Sequence, residues 1–370
     1  MQIRPKTQAQ LYHVLSITIF WLLCGGFIAI YKCVNYDGQL GKFIFIVPNN
    51  LPLGSFILIN LVGPAIGGII GGSLLVLILN ERLHNRSYLY FLSVNILLFM
   101  VFIFTLNSLV SYFFYFRSEI TGSDDKFSQL IRLLILDPYA IRNMVTWLII
   151  AFLTLHGLKI YEKYGPGTLL SMFLGRYHRP HEVQRVFMFL DLSGSTTLAE
   201  QLGHVKFFSL LRDFFKDITD PILNARGEIY QYVGDEVVIS WTKQKAVSGK
   251  SNCISCYFDI VEVLYQRQEQ YRQKYGVLPE FKAAVHYGKV VVGEMGVIKR
   301  EIVYSGDILN TTSRMVEQCK LHHQKLLLSN DVLELLSESQ RTGYTLVPLG
   351  NMTLRGKIQK VELFAVQRQQ

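Results

Sequence analysis

The pattern of apolar and polar positions changes character near residue 165. Before it, uncharged runs at about 12–32, 55–80, 87–115 and 143–162 each approach the ~20 apolar residues that cross ~30 Å of hydrocarbon. The first run follows MQIRPK without a small-residue cleavage site, so it reads as an anchor with its N-terminus left in the cytoplasm. Pro48, Asn49, Asn50 and Pro52 break the start of the second uncharged stretch, which leaves one span beginning near Ser55. The fourth run is the shortest, and Lys159 and Lys163 can snorkel at its end.

Beyond Arg185 the period shortens. VFMFLD (186–191) has strand length, and Ser195 or Thr196 is a natural N-cap for a helix carrying Leu198, Leu202, Leu211, Phe215 and Ile218 that stops near Gly227. EIYQYVGDEVVISW then reads as two strands about a Gly234-Asp235 hairpin turn. A helix over 252–274 ending at Gly276 and the strand FKAAVHY complete β-α-β-β-α-β, a ferredoxin-like order. The expected fold is α+β: a transmembrane four-helix bundle over 1–165, a linker over 166–182, and a ferredoxin-like βαββαβ domain over 183–370.

Composition agrees with this division, since half of the residues are hydrophobic and only 18% are charged, which is too apolar for an ordinary soluble domain. The formal charge of +9 suits an anionic membrane surface or a polyphosphate ligand, and by itself would also suit nucleic acid. With the N-terminus inside, Arg4, Lys6, Arg82, Arg86, Lys159 and Lys163 fall in the cytoplasm, against Arg117, Lys126, Arg132 and Arg142 outside. Four spans return the chain to the side it started from, which makes the expected location a multi-pass cell membrane protein with a cytoplasmic C-terminal domain. Gly63, Gly67 and Gly71, with Gly68 and Gly72, let one or two faces of the second span approach another backbone, within one bundle or between protomers. Asn60, Asn95, Asn107 and His156 lie at membrane depth, where the asparagines are expected to bond between helices. Among five cysteines, Cys253 and Cys256 have C-x-x-C spacing but no second pair at finger spacing, so a buried, inert helical pair is expected. Pro166 and Pro180 exclude a long coiled coil in the linker and leave room for a brief helix around 167–177. His178 and His181 there are read as solvated in preference to metal-binding.

The ferredoxin-like order puts Asp191 at the end of the first strand and Asp235 at the hairpin tip. The first strand is expected beside the strand that leads into the hairpin, bringing the carboxylates together. Two convergent carboxylates beside a Gly/Ser turn supply hard oxygen ligands for divalent metal and free N–H groups for phosphate. In the bland alternative, Asp235 makes the turn and Asp191 caps the following helix.

At this point the motifs become recognisable. FMFLDLSGSTTLAE, YVGDEVVISW, AVHYGKVVVGEMG and YSGDILNTTSRMVEQC, in this order across about 183–368, resemble the catalytic domain of class III adenylate and guanylate cyclases. The resemblance implies a membrane-anchored cyclase converting ATP, or less favourably GTP, to a cyclic 3′,5′-nucleotide and pyrophosphate. It implies two Mg²⁺ or Mn²⁺ ions per site, held by Asp191, Asp235 and the Leu192 carbonyl. It further implies phosphate contacts at Gly194, Ser195 and Thr196, a ribose-orienting Asn310, an α-phosphate-stabilising Arg314, and a terminal-phosphate lysine at Lys357. Sites would be shared in a head-to-tail homodimer, the aspartates from one chain and Asn310 and Arg314 from the other. The expected partners are ATP or GTP, a second copy and membrane lipid, with no nucleic acid. Independently, Asn310 and Arg314 are four apart on a predicted helix and share a face. The base-reading positions, Gln231 and Val303, match neither the lysine with aspartate or threonine of adenylate cyclases nor the glutamate with cysteine of guanylate cyclases. A glutamine amide pairs with either purine, so the base stays open. The rival from another class is a non-catalytic nucleotide-binding receptor with a degenerate cyclase fold.

Overall fold

A computed structural model describes residues 5–34, 53–83, 86–117, 138–164, 174–248, 252–355 and 360–369. The chain divides into two compact units, one over Thr7–Leu169 and one built on Leu170–Gln370.

The first unit is helical: α1 (Pro5–Val34), α2 (Leu53–Ser73), α3 (Tyr88–Arg117) and α4 (Pro138–Tyr164). Within them Gln10–Tyr31, Asn60–Leu79, Tyr88–Thr105 and Ile141–Tyr161 are long and apolar enough to cross a membrane. After Ser73 the second helix runs on as a π-helical segment, Leu74–Leu79. Gly67, Gly68, Gly71 and Gly72 of α2 turn inward on their own bundle, whereas a Cβ at Gly63 would meet nothing within 4 Å among the described residues. A Cβ at Gly67 would come 2.8 Å from the Trp21 ring, and one at Gly68 would come 2.6 Å from the Thr18 Cα, so α1 and α2 approach to backbone contact there. At Asn95 the structure departs from the expected interhelical bonding. Asn95 is buried, but its amide donates to the Phe91 carbonyl of its own helix (2.7 Å), and among the described residues its Oδ1 has no hydrogen-bond partner. Interhelical bonds include Trp21 Nε1 donating to Thr154 Oγ1 (2.9 Å) and the Tyr88 hydroxyl with His156 Nε2 (2.9 Å). The side chain of Asn107 lies outside the described residues.

The second unit carries an eight-stranded sheet: β1 (His181–Leu192), β2 (Glu228–Val233), β3 (Glu236–Thr242), β4 (Phe281–Met295), β5 (Glu301–Ser305), β6 (Leu326–Ser329), β7 (Tyr344–Met352) and β8 (Val361–Arg368). Its order is β2-β3-β1-β4-β6-β8-β7, with β5 pairing the far end of β4. β1 therefore lies beside β3, the strand leaving the hairpin, and not beside the strand that leads into it. This correction follows from the split βαβ arrangement, in which β3 turns back antiparallel into the gap between β1 and β2. On one face Val186, Met188 and Leu190 meet Phe214, Ile218 and Ile222 of α6 (His204–Asn224) and Ile254, Tyr257 and Ile260 of α7 (Cys253–Gln266). On the other, Phe187, Phe189 and Ala284 meet Ile308, Met315 and Val316 of α9 (Asp307–Leu321). α5 (Ser195–Leu202) and α8 (Gln268–Tyr275) complete the helices that bear on the argument.

Local chemistry explains the helix boundaries. The helix expected from Ser195 to Gly227 is two, because Gly203 adopts φ 73° between α5 and α6 and turns the chain. Neither Ser195 nor Thr196 is the cap: Gly194, at φ 69°, holds that position without a side-chain bond. The helix predicted over 252–274 is likewise divided, at Arg267, and α7 opens on a capping box between Asn252 and Ser255. Cys253 and Cys256 are buried in α7, and burial pushes the Cys253 thiol up to about 12, the environment of an inert thiol. Residues 174–177, inside the stretch predicted as a brief helix, form a turn closed by His178 N donating to the Gly175 carbonyl (3.2 Å). The rest of that stretch lies outside the described residues.

Candidate functional site

Register places the acidic cluster. Asp191 stands opposite Glu236 on β3 and opposite Lys282 on β4, so these three side chains form a row on the α9 face of the sheet. The hairpin tip follows Glu236 backwards by one residue, and Gly234 adopts φ 64° to close it. Asp235 thereby comes close enough to Asp191 for a hydrogen bond between their carboxyl groups. The two predicted metal aspartates are thus neighbours, and the two residues that sequence reasoning passed over complete the group. Lys282 Nζ sits 3.1 Å from Asp191 Oδ2. Glu236 has its carboxyl raised to about 7, by burial first and then by Asp191 and Asp235. Asp191 is raised as well, by burial, although Lys282 opposes the shift. The clue to both residues was cross-strand register, which motif spacing does not contain.

Among the described residues no group of three or more His, Cys, Asp or Glu side chains makes a metal cluster. The donor chemistry nevertheless fits a divalent cation. Asp191 and Asp235 are adjacent with Glu236 behind them, burial and the neighbouring carboxylates raise the Asp191 and Glu236 carboxyls, and a lysine ammonium already sits on Asp191, so the site draws positive charge. Leu192, next to Asp191, has a buried side chain.

Beside this group begins α5. Its first helical bond is Leu198 N to the Gly194 carbonyl (2.9 Å), so the amides of Ser195, Thr196 and Thr197 precede the ladder and are available to an anion. Gly194 and Thr196 are exposed and Ser195 is half-buried.

Asn310 and Arg314 lie elsewhere in the protomer. Ile308, Thr312, Met315, Val316 and Cys319 face α9 to the sheet, which leaves Asn310 exposed and Arg314 half-buried on the flank away from it. Along the helix, Ile308 lies against Gly288 and Cys319 Sγ donates to the Ala283 carbonyl (3.4 Å). Asn310 is therefore level with the Gly288 end of β4, six residues or roughly 20 Å of strand from Lys282 and its neighbour Asp191. Within one chain the asparagine and arginine do not join the aspartates.

Gln231 is exposed on β2, opposite Val238, and Val303 is half-buried on β5, opposite Gly293. Lys357 lies outside the described residues. His178 Nδ1 faces Glu294 at 3.5 Å, and His181 Nδ1 is 3.2 Å from the Arg179 carbonyl. Among the described residues neither belongs to a metal cluster.

Comparison with known proteins adds the following. The sequence model of the family described as "Adenylate and Guanylate cyclase catalytic domain" matches residues 178–368. Adenylate cyclase 2 of Rhizobium meliloti (strain 1021) is 40% identical over 179 residues, covering 48% of this chain and 49% of that protein. Adenylate cyclase 1 of the same organism is 25% identical over 183 residues, 48% of this chain and 27% of that protein. The chain spans about half the length, or less, of the curated relatives it matches. A solved bacterial light-regulated adenylyl cyclase shares the fold, at TM-score 0.51 and 21% identity, covering 61% of this chain and 64% of that one.

Proposed function

Because the chain belongs to the class III adenylate and guanylate cyclase family, we propose that it is a membrane-anchored cyclase converting ATP, or less favourably GTP, to a cyclic 3′,5′-nucleotide and pyrophosphate. The observation that carries the reading is the meeting of Asp191 and Asp235 beside the free amides at the start of α5. In the proposed organisation residues 1–165 anchor the protein, 166–182 link, and 183–370 catalyse at the cytoplasmic face.

Asp191, Asp235 and the Leu192 carbonyl would hold two Mg²⁺ or Mn²⁺ ions. When bound, divalent metal lowers the pKa of the ribose 3′-hydroxyl and neutralises charge developing on the phosphates. The residues of the chain do the rest. Amides at Ser195 and Thr196, with Gly194 leaving the approach open, receive phosphate oxygens. Lys357 would reach the terminal phosphates. Asn310 orients the ribose, and the Arg314 guanidinium meets charge on the α-phosphate with a planar fork of donors. Since Asn310 and Arg314 face away from the aspartates of their own chain, the reading requires a head-to-tail homodimer in which each site draws on both protomers. Gln231 and Val303 then face the base.

The test is the full-length protein in lipid nanodiscs with Mg²⁺ or Mn²⁺, given ATP and GTP in parallel. Cyclic nucleotide and pyrophosphate should appear in equal amounts. Nucleotide binding without cyclisation of either substrate would establish the degenerate-receptor alternative instead.

A further inference from the structure

We infer that Tyr230 is the positioning residue of the nucleobase pocket, its hydroxyl tying the strand that carries Gln231 to the strand that carries Val303. The inference rests on the reading that Gln231 and Val303 face the base.

The topology creates the need. β2 is the edge strand at one end of the sheet order, and β5 hangs from the far end of β4, off the main path. The two strands share no ladder, so backbone pairing does not set the separation of their side chains. The Tyr230 hydroxyl spans this gap by accepting a hydrogen bond from the backbone N–H of Tyr304, at 3.1 Å. Tyr304 is the residue next to Val303, and Tyr230 is the residue next to Gln231.

A bulge makes the reach possible. The β2–β3 register shifts between Ile229 and Gln231, which makes Tyr230 the extra residue. Strict alternation would send Tyr230 and Gln231 to opposite faces. Here Tyr230 packs on the cluster of Phe187 and Tyr304, while Gln231 stands opposite Val238 of that same cluster. The bulge therefore brings both to one face, the re-aiming for which such irregularities are used near sites.

The support beneath Tyr230 is rigid. Its ring meets Tyr304 edge-on at 4.9 Å, and Phe187 meets Tyr304 at 5.5 Å. The Arg185 guanidinium covers the Tyr304 ring at 5.3 Å and is held by Glu228 at 2.8 Å. Glu228 also pairs Lys245 at 2.7 Å. Glu228 belongs to β2 itself, so one network grips both strands.

The Tyr230→Phe variant keeps the ring and removes only the hydroxyl, leaving the Tyr304 amide without its acceptor at a residue 9% exposed. In full-length protein in nanodiscs, the dissociation constant of a non-cyclisable fluorescent ATP analogue should rise about five- to thirtyfold. KM should rise in step, with kcat within about threefold and the Mn²⁺ concentration for half-activation unchanged. The ratio of ATP to GTP affinity should also move, because the two base-facing side chains lose their common frame. Gln231→Ala is measured beside it. If Gln231→Ala alters the ATP-to-GTP ratio while Tyr230→Phe leaves affinity and ratio at wild-type values, the positioning role is overturned and the base-reading assignment stands. If Tyr230→Phe lowers kcat and metal response along with affinity, its role is structural and the inference is also overturned. If Gln231→Ala leaves the ratio unchanged, the base-reading assignment fails and takes the inference with it.

Discussion

The proposed sharing of each site between two protomers is open to a decisive mixing experiment. Asp191→Ala removes one of two adjacent carboxylates, and Arg314→Ala removes a donor on the outward flank of α9. Each homodimer should lose at least the 10²- to 10³-fold that follows loss of one oxyanion donor. The structure supplies the reason to expect rescue. From Ile308 against Gly288 to Cys319 against Ala283, α9 runs antiparallel to β4, at ~1.5 Å per residue against ~3.3 Å for the strand. Arg314 is therefore level with about Val285, some 10 Å along the strand from Lys282 and its partner Asp191. It also lies on the flank of α9 away from the sheet-facing Ile308, Met315 and Cys319. An arginine cannot turn through its own helix to close that distance, so the proposed reading assigns the arginine serving each aspartate pair to the other chain. In a heterodimer of the two variants one site carries both lesions and the other neither. If chains pair at random with two-fold symmetry, half of the dimers are mixed and half of their sites are intact, so about a quarter of wild-type activity should return. The assay is cyclic nucleotide production in membranes from co-expressing cells, with differently tagged chains to count heterodimers. Heterodimers that pull down yet stay inactive would refute the reasoning and place the whole site in one protomer.

Three further outcomes follow. Reporter fusions after residues 45, 84, 125 and 180 should read outside, inside, outside and inside, and a cytoplasmic signal at 125 would remove the third or fourth span. Gly68→Leu forces side-chain atoms onto the Thr18 backbone and should lower the stability of the helical unit by about 1–3 kcal/mol in detergent melts, whereas an unchanged melt would contradict the α1–α2 contact. At Glu228 burial raises the carboxyl pKa, but Arg185 and Lys245 outweigh it, so the folded value lies below the ordinary one. The corresponding stability is present above the unfolded pKa, near 4.5, and is lost as pH falls through the folded value. Glu228→Gln should therefore cost about 1 kcal/mol at pH 7, a figure discounted for partial exposure, with the gap to wild type closing toward pH 3 in chemical denaturation.

What the sequence determined by itself was whatever depends on neighbours along the chain. Runs of apolar residues mark the four long helices because a spanning helix satisfies its own backbone. The Gly234-Asp235 turn and the order of strands and helices mark the ferredoxin-like core, since turn chemistry and period are local. Strand order and turn chemistry likewise brought out Asp191 and Asp235, while Asn310 and Arg314 came from the resemblance to class III cyclases. What the tertiary structure decided depends on register between distant segments. That Asp191 is flanked by Glu236 and Lys282 follows from pairing β1 with β3 and β4, and a one-residue slip would have sent these side chains to opposite faces. The turn of Gly67 and Gly68 onto Trp21 and Thr18 was equally unreadable, since a small-residue face fits a helix of the same bundle or of a second copy alike. The β2 bulge is the sharpest case. Nothing in IYQY announces an extra residue, yet the bulge brings Tyr230 to the Gln231 face, where its hydroxyl reaches across to β5. A bulge is an agreement between two strands, and neither strand's sequence holds it alone.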